Sequence, residues 1–149
     1  MEWKLKKFEE LTNEELYKVL QLRNDVFIVE QQCPYEDCDG RDKESYHLFL
    51  EDKDNIVAYS RILKKGVSYD EVSIGRVVVN KNYRGKSIAR ELLIKAIKFI
   101  EETLKETEIR IGAQAYLIGF YESLGFKAVS SEYLEDEIPH LEMLYKKSK

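Results

Sequence analysis

The chain has 149 residues, 44% of them hydrophobic and 35% charged, with a formal net charge of -4. That suits one domain over residues 1–149 whose core needs no disulfide or metal staple, and it argues against nucleic acid as a partner, because such proteins gather basic residues on one face. No run approaches the ~20 apolar residues of a membrane helix and Met1 to Lys7 lacks the apolar stretch of a signal peptide, so the expected location is cytoplasmic, away from membranes.

Glu2 to Phe8 reads as a first strand. Thr12-Asn-Glu-Glu15 then has capping-box spacing, in which a Thr hydroxyl and a Glu carboxylate satisfy each other's free backbone N–H groups at a helix start. Leu16, Val19, Leu20, Arg23, Val26 and Phe27 recur at helical spacing and form a core face, with Arg23 left out of it. An irregular acidic loop runs from Glu30 to Ser45. His47 to Glu51 and Ile56 to Lys64 read as a hairpin across the polar turn Asp52-Lys-Asp-Asn55, and Ser68 to Val79 as a long strand. Ile88, Leu92, Leu93, Ala96, Ile97, Phe99, Ile100 and Leu104 give a main helix a broad apolar face. Ile109 to Ala113, Phe126 to Ser130 and His140 to Lys146 complete the strands, with a short helix from Tyr116 closed by Gly125. This order predicts an α/β sheet with helices on both faces.

Between the long strand and the main helix lies a basic turn. A helix start leaves four backbone N–H groups free, Gly85 lets a bound group approach the backbone, and Lys81, Arg84, Lys86 and Arg90 add positive charge. This chemistry suits a phosphate or pyrophosphate; a solvated basic turn is the bland alternative. A P-loop is excluded because Asn80 stands where its first glycine belongs, and a dinucleotide fingerprint because only Gly85 is present. Neither a nucleoside triphosphate nor NAD is the natural ligand. No metal is expected: Cys33 and Cys38, with the distant His47 and His140, lack zinc-site spacing, and an EF-hand around Asp37-Cys-Asp-Gly40 would begin and end on Tyr35 and Tyr46. Glu30, Glu36, Asp37, Asp39 and Asp42 form an acidic patch that recognises a cationic amine or keeps its loop solvated.

Asn82-Tyr83-Arg84-Gly85-Lys86-Ser87 resembles the acyl-CoA pyrophosphate loop of the GCN5-related N-acetyltransferases (GNAT), whose pattern is Gln or Arg, two residues, Gly, one residue, then Gly or Ala. Asn82 and Ser87 depart from its first and last positions; Arg84-Gly85, Ile88-Ala89 and Leu92-Leu93 keep the rest. Farther on, Phe120-Tyr121 four residues before Gly125-Phe126 is similar to the superfamily's helix beside the pantetheine arm. Leu22 to Gly40, with Asp42, His47, Ile138-Pro-His140 and Met143, looks like the ElaA-type branch, so the resemblance covers nearly the whole chain.

The resemblance implies a central mixed β-sheet flanked by helices on both faces, acetyl-CoA as cosubstrate without a metal, and acetyl transfer to a primary amine of a small molecule or peptide by direct attack. It implies cofactor contacts from Val77, Val78, Val79, Arg84, Gly85, Lys86, Ser87, Ile88, Ala89, Arg90 and Gln114, and Tyr121 as the acid that protonates the leaving thiolate. It also makes the acidic loop a wall of the acceptor site. An attacking amine must be neutral, so a base is required, with His47, His140 and Glu30 as candidates. Two other readings stay open, an acetyl-CoA-binding sensor without turnover and an acyltransferase with another acyl group or a hydroxyl acceptor. A homodimer is also left open.

Overall fold

A computed structural model describes residues 1–148. Strand β1 (Glu2–Lys7) leads into helix α1 (Asn13–Arg23), whose start is capped as its sequence predicts: the Glu15 N–H donates to Thr12 Oγ1 at 3.0 Å and the Thr12 N–H to Glu15 Oε1 at 2.9 Å. The helix runs on as a π-helical turn, Asn24–Glu30. Strands β2 (Tyr46–Asp52) and β3 (Asn55–Leu63) form the expected hairpin. Strand β4 (Ser73–Val79) is shorter than predicted, because the chain turns first, with the Gly66 N–H donating to the Tyr69 carbonyl at 2.7 Å. Helix α2 (Ile88–Glu102), strand β5 (Glu108–Gln114), the short helix α3 (Ile118–Glu122) and strand β6 (Phe126–Ala128) follow. Strand β7 (Tyr133–Glu135), absent from the sequence reading, makes a hairpin with the last strand, β8 (Ile138–Lys146).

The strands lie in two antiparallel groups, β1-β2-β3-β4 and β5-β8-β6, with β7 on β8. A parallel bridge between Val72 and Ile109 joins them, and the Arg110 N–H donates to the Val72 carbonyl at 2.9 Å. The sheet is therefore mixed, and beyond that bridge β4 and β5 diverge. The period-2 alternation of strands assigns the two faces. Phe49, Tyr59 and Val78 turn toward Val19, Leu22 and Val26 of the first helical segment, while Leu48, Ile62, Ile74 and Ile111 pack with Leu92, Leu93, Ala96 and Ile100 of α2. Each fully buried Leu or Ile contributes about 1.5–3 kcal/mol, so α2 is fastened by packing far more than by helix propensity. No helix among the described residues is long and apolar enough to cross a membrane.

Arg23 overturns one expectation. It is completely buried, because the loop that follows α1 folds back and supplies its counter-charges. Its Nε donates to Asp37 at 2.9 Å, its Nη1 to Asp42 at 2.8 Å and its Nη2 to the Asp37 carbonyl at 2.9 Å, and the guanidinium stands 5.7 Å from the Tyr59 ring centroid. A second irregularity lies in β4. Tyr59 pairs with Val78 but Arg61 with Gly75, so Arg76 and Val77 together oppose Ser60 in a β-bulge.

Candidate active site

Where β4 and β5 part, the seam opens into a cleft of about 1070 Å³. One wall is formed by Val77, Val78 and Val79 with the turn into α2; the other by Gln114 and the aromatic face of α3. Of the predicted residues, Glu30, Val77, Val78, Val79, Arg84, Gly85, Ser87, Ile88, Ala89, Arg90, Gln114, Tyr121 and His140 line this one cleft. Lys86 and His47 do not. Lys86 leans outward, its Nζ 5.5 Å from the Tyr83 ring centroid.

The turn is built from its own side chains. Asn80 Oδ1 accepts the Asn82 N–H at 2.9 Å, and the Tyr83 hydroxyl donates to Asp52 at 2.6 Å, pinning the turn to the β2–β3 hairpin. Gly85 has φ +79, and a Cβ placed on it would meet nothing within 4 Å, so open space lies above its backbone. Ser87, at the N-cap of α2, is also left-handed, with φ 61, and makes no capping hydrogen bond. Read from Arg84, the phosphate-loop pattern fits better than from Asn82, with Arg first, Ala89 last and Ser87 where a glycine belongs. A left-handed conformation costs a residue with a Cβ about 1–2 kcal/mol. Ser87→Gly is therefore expected to stabilise the chain by about 1 kcal/mol after the extra chain entropy of glycine is counted, measured as a rise in denaturation midpoint. An unchanged or lower midpoint would show that the serine is held there without strain. The free N–H groups, the left-handed turn and the open approach fit the pyrophosphate that the sequence predicts.

Tyr121 is buried against Phe120 and Phe126, with ring centroids 5.2 and 5.7 Å away in edge-on geometry. Burial pushes its phenol upward, so it carries its proton at neutral pH.

The base candidates separate sharply. His47 is fully buried outside the cleft, because β2 alternation turns it to the α1 face. Its Nε2–H donates to the Asp42 carbonyl at 2.9 Å, which leaves Nδ1 to accept the Tyr59 hydroxyl at 2.6 Å. Burial lowers its pKa, so it stays neutral, and His47 is structural rather than a base. Glu30 lines the cleft with both oxygens engaged, accepting Arg84 Nη1 at 2.7 Å and Nη2 at 3.2 Å. Arg84 Nε also donates to the Val79 carbonyl at 3.1 Å, so this pair braces the turn against β4. His140 lines the cleft, stacked on Tyr133. Its Nδ1–H donates to the Ile138 carbonyl at 2.7 Å, which assigns the lone pair to Nε2, 3.4 Å from Glu135 Oε2.

The acidic loop is not a wall of free carboxylates. Asp37, Asp39 and Asp42 are committed to Arg23, Arg61 and Arg76. Burial pushes the Asp39 carboxyl up, but the Arg61 guanidinium, the Arg41 N–H and Arg76 outweigh it and hold the carboxyl well below the usual range. Only Glu36 of the predicted patch faces the cleft without an ion-pair partner among the described residues. Tyr35, Tyr69, Tyr116 and Glu135 also line the cleft; Tyr35 lies within the ElaA-type string and Tyr116 at the start of the predicted short helix, whereas no motif signals Tyr69 or Glu135.

Known proteins of this shape give the arrangement its context. Residues 9–147 match the family model for the acetyltransferase (GNAT) domain. The protein ElaA of Escherichia coli (strain K12) is 41% identical over 145 residues, spanning 96% of this chain and 95% of that protein. The crystal structure of Escherichia coli ElaA superposes with a TM-score of 0.91 at 40% identity, covering 98% of this chain and 100% of that one. An acyl-CoA N-acyltransferase from Pseudomonas aeruginosa reaches the same TM-score, 0.91, at 39% identity over 97% of this chain and 99% of that one. The PaiA N-acetyltransferase of Thermoplasma acidophilum, solved with coenzyme A, shares the fold at a TM-score of 0.70 and 14% identity, covering 98% of this chain and 99% of that one. On a family match that spans nearly every element, and on ElaA similarity along almost its entire length, the chain belongs to the GNAT acetyltransferases, in their ElaA-like branch.

Proposed function

We propose that this chain moves an acetyl group from acetyl-CoA to the primary amine of a small molecule or peptide in the cytoplasm, by direct attack. The observation that carries the reading is the placement, in one cleft, of an anion cradle at the start of α2 and the buried phenol of Tyr121 at the opposite wall.

Gly85, Ser87 and the first N–H groups of α2, with Arg90 beside them, hold the pyrophosphate, and Gln114 offers an amide donor to the adjoining arm. The cosubstrate supplies the activated acetyl thioester. His140 Nε2, which lies 3.4 Å from Glu135 Oε2, takes the proton that the attacking ammonium must lose, directly or through water. Backbone N–H groups of Val77 to Val79 that face the seam donate to the thioester oxygen as negative charge grows there. The amine nitrogen bonds to the acyl carbon, the carbon–sulfur bond breaks, Tyr121 donates its proton to the departing thiolate, and the surplus proton of the new amide nitrogen passes back to the phenolate, directly or through water.

Two measurements test this. Acetyl-CoA is expected to stabilise the fold by about 2.7 kcal/mol at a hundredfold excess over its dissociation constant, and ATP and NAD by less at matched concentration. Equal stabilisation by all three would overturn the cofactor assignment. Thiol release from acetyl-CoA in the presence of polyamines, amino acids, aminoglycosides and peptide N-termini is the expected activity; stabilisation with no release against that whole panel would favour a sensor.

A further inference from the structure

Among the described residues, Arg76 is the only one inside a strand with a left-handed backbone, at φ 52. A Cβ disfavours that conformation, and Gly75, which adopts it without penalty, stands one place earlier with an ordinary φ. The bulge therefore falls on a residue with a long side chain, and that side chain is anchored. Its Nε lies 2.9 Å from Asp37 Oδ1, its Nη2 donates to the Asp37 carbonyl at 3.1 Å and to Asp39 Oδ2 at 3.4 Å, and its guanidinium stands 5.4 Å from the Tyr35 ring centroid.

The segment these contacts seat, residues 33–45, has only the 3-10 turn Arg41–Glu44 as regular structure. Side-chain contacts must fix its place. Arg23 of α1 holds it from the core, outside the cleft, and Arg61 of β3, nearly buried, holds Asp39 from the cleft lining. Arg76 holds it from β4, immediately before Val77, Val78 and Val79, while Tyr35, Glu36 and Asp39 of the segment line the same cleft.

We propose that Arg76 is a positioning residue that joins the two halves of the site: its guanidinium seats the 33–45 segment on the acceptor side, and that anchorage holds the bulge that aims the Val77–Val79 backbone into the seam. Displacing the segment therefore disturbs the backbone donors, and straining the bulge disturbs the segment. The kinetic part of this inference rests on the acetyl-transfer reading; the structural part does not.

Three variants of the full chain separate the contributions. Arg76→Gly removes the guanidinium and leaves a backbone that takes the bulge freely, Arg76→Ala removes the guanidinium and keeps the Cβ penalty, and Arg76→Lys keeps a charge without the fork. In hydrogen exchange followed by mass spectrometry, Arg76→Gly is expected to raise exchange about tenfold in both 33–45 and 77–79, as removal of a charged hydrogen bond that orders both would, with α2 and β8 unchanged and Arg76→Lys intermediate. A rise confined to 33–45, or one spread over every element, overturns the coupling. With an amine that the parent enzyme acetylates, Arg76→Gly is expected to raise the amine KM about tenfold while the acetyl-CoA KM stays within about twofold, and Arg76→Ala to have a lower kcat than Arg76→Gly. Lower kcat with both KM values unchanged marks a merely structural residue and overturns the proposal. If the parent enzyme acetylates no amine, the acetyl-transfer reading fails, and the exchange pattern alone decides on Arg76.

Discussion

Tyr121→Phe is expected to lower kcat about 10²-fold and to leave the affinity for acetyl-CoA as it was, because it deletes one oxygen and keeps the ring that packs on Phe120 and Phe126. General acid catalysis contributes ~10²- to 10⁴-fold, and the lower end applies where water can deliver the proton in place of the phenol. Burial raises the phenol's pKa, so at neutral pH the parent enzyme is fully charged with its proton and its rate should not fall through loss of that proton until the solution is strongly alkaline. The check is kcat measured on folded protein, with calorimetry for acetyl-CoA. A variant with full turnover and an unchanged pH profile would make Tyr121 a packing residue and reopen the sensor reading.

Arg23→Met should cost about 3–5 kcal/mol of stability, since it leaves Asp37 and Asp42 buried without one of their counter-charges. A domain of this size has roughly 5–15 kcal/mol in all, so the loss takes a large share of it. Arg61 still reaches Asp42 at 3.1 Å and Arg76 still reaches Asp37, which places the expected loss toward the lower figure. Arg23→Lys should lie between, keeping the charge while losing the fork that serves two carboxylates and a carbonyl at once. Denaturant midpoints at constant m-value give the measurement. A loss below about 1 kcal/mol would mean that water replaces the guanidinium and that the cluster is hydrated rather than dry.

Features written in local sequence were the ones that could be read in advance. The Thr12–Glu15 capping box needs partners only three residues apart, and the apolar face of α2 needs only its own periodicity. The phosphate turn is legible for the same reason, although the left-handed backbone of Ser87 favours a register that starts at Arg84 rather than Asn82. What escaped depends on partners far along the chain. Arg23 looked like a solvent-facing interruption until Asp37 and Asp42 folded over it, and Asp39 looked free until Arg61 and Arg76 arrived from 22 and 37 residues away. His47 and His140 are identical as sequence signals; only strand alternation and the β7–β8 hairpin send one into the core and the other into the cleft.

A sheet that opens along its middle has four edges where a continuous one has two. After the Val72–Ile109 bridge, β4 and β5 each turn toward the seam a row of backbone groups that they do not exchange with one another. Such rows are templates for any extended chain that can reach them, and ordinary sheets shield them with charge, proline or a covering helix. Here the covering is partial, because α3 and the aromatic side chains around Tyr121 close one side and leave the mouth accessible. An extended molecule lying along the seam would find both rows of groups within one gap. On the acetyl-transfer reading, filling this gap is expected to lower self-association of the chain as well as to place the acetyl group.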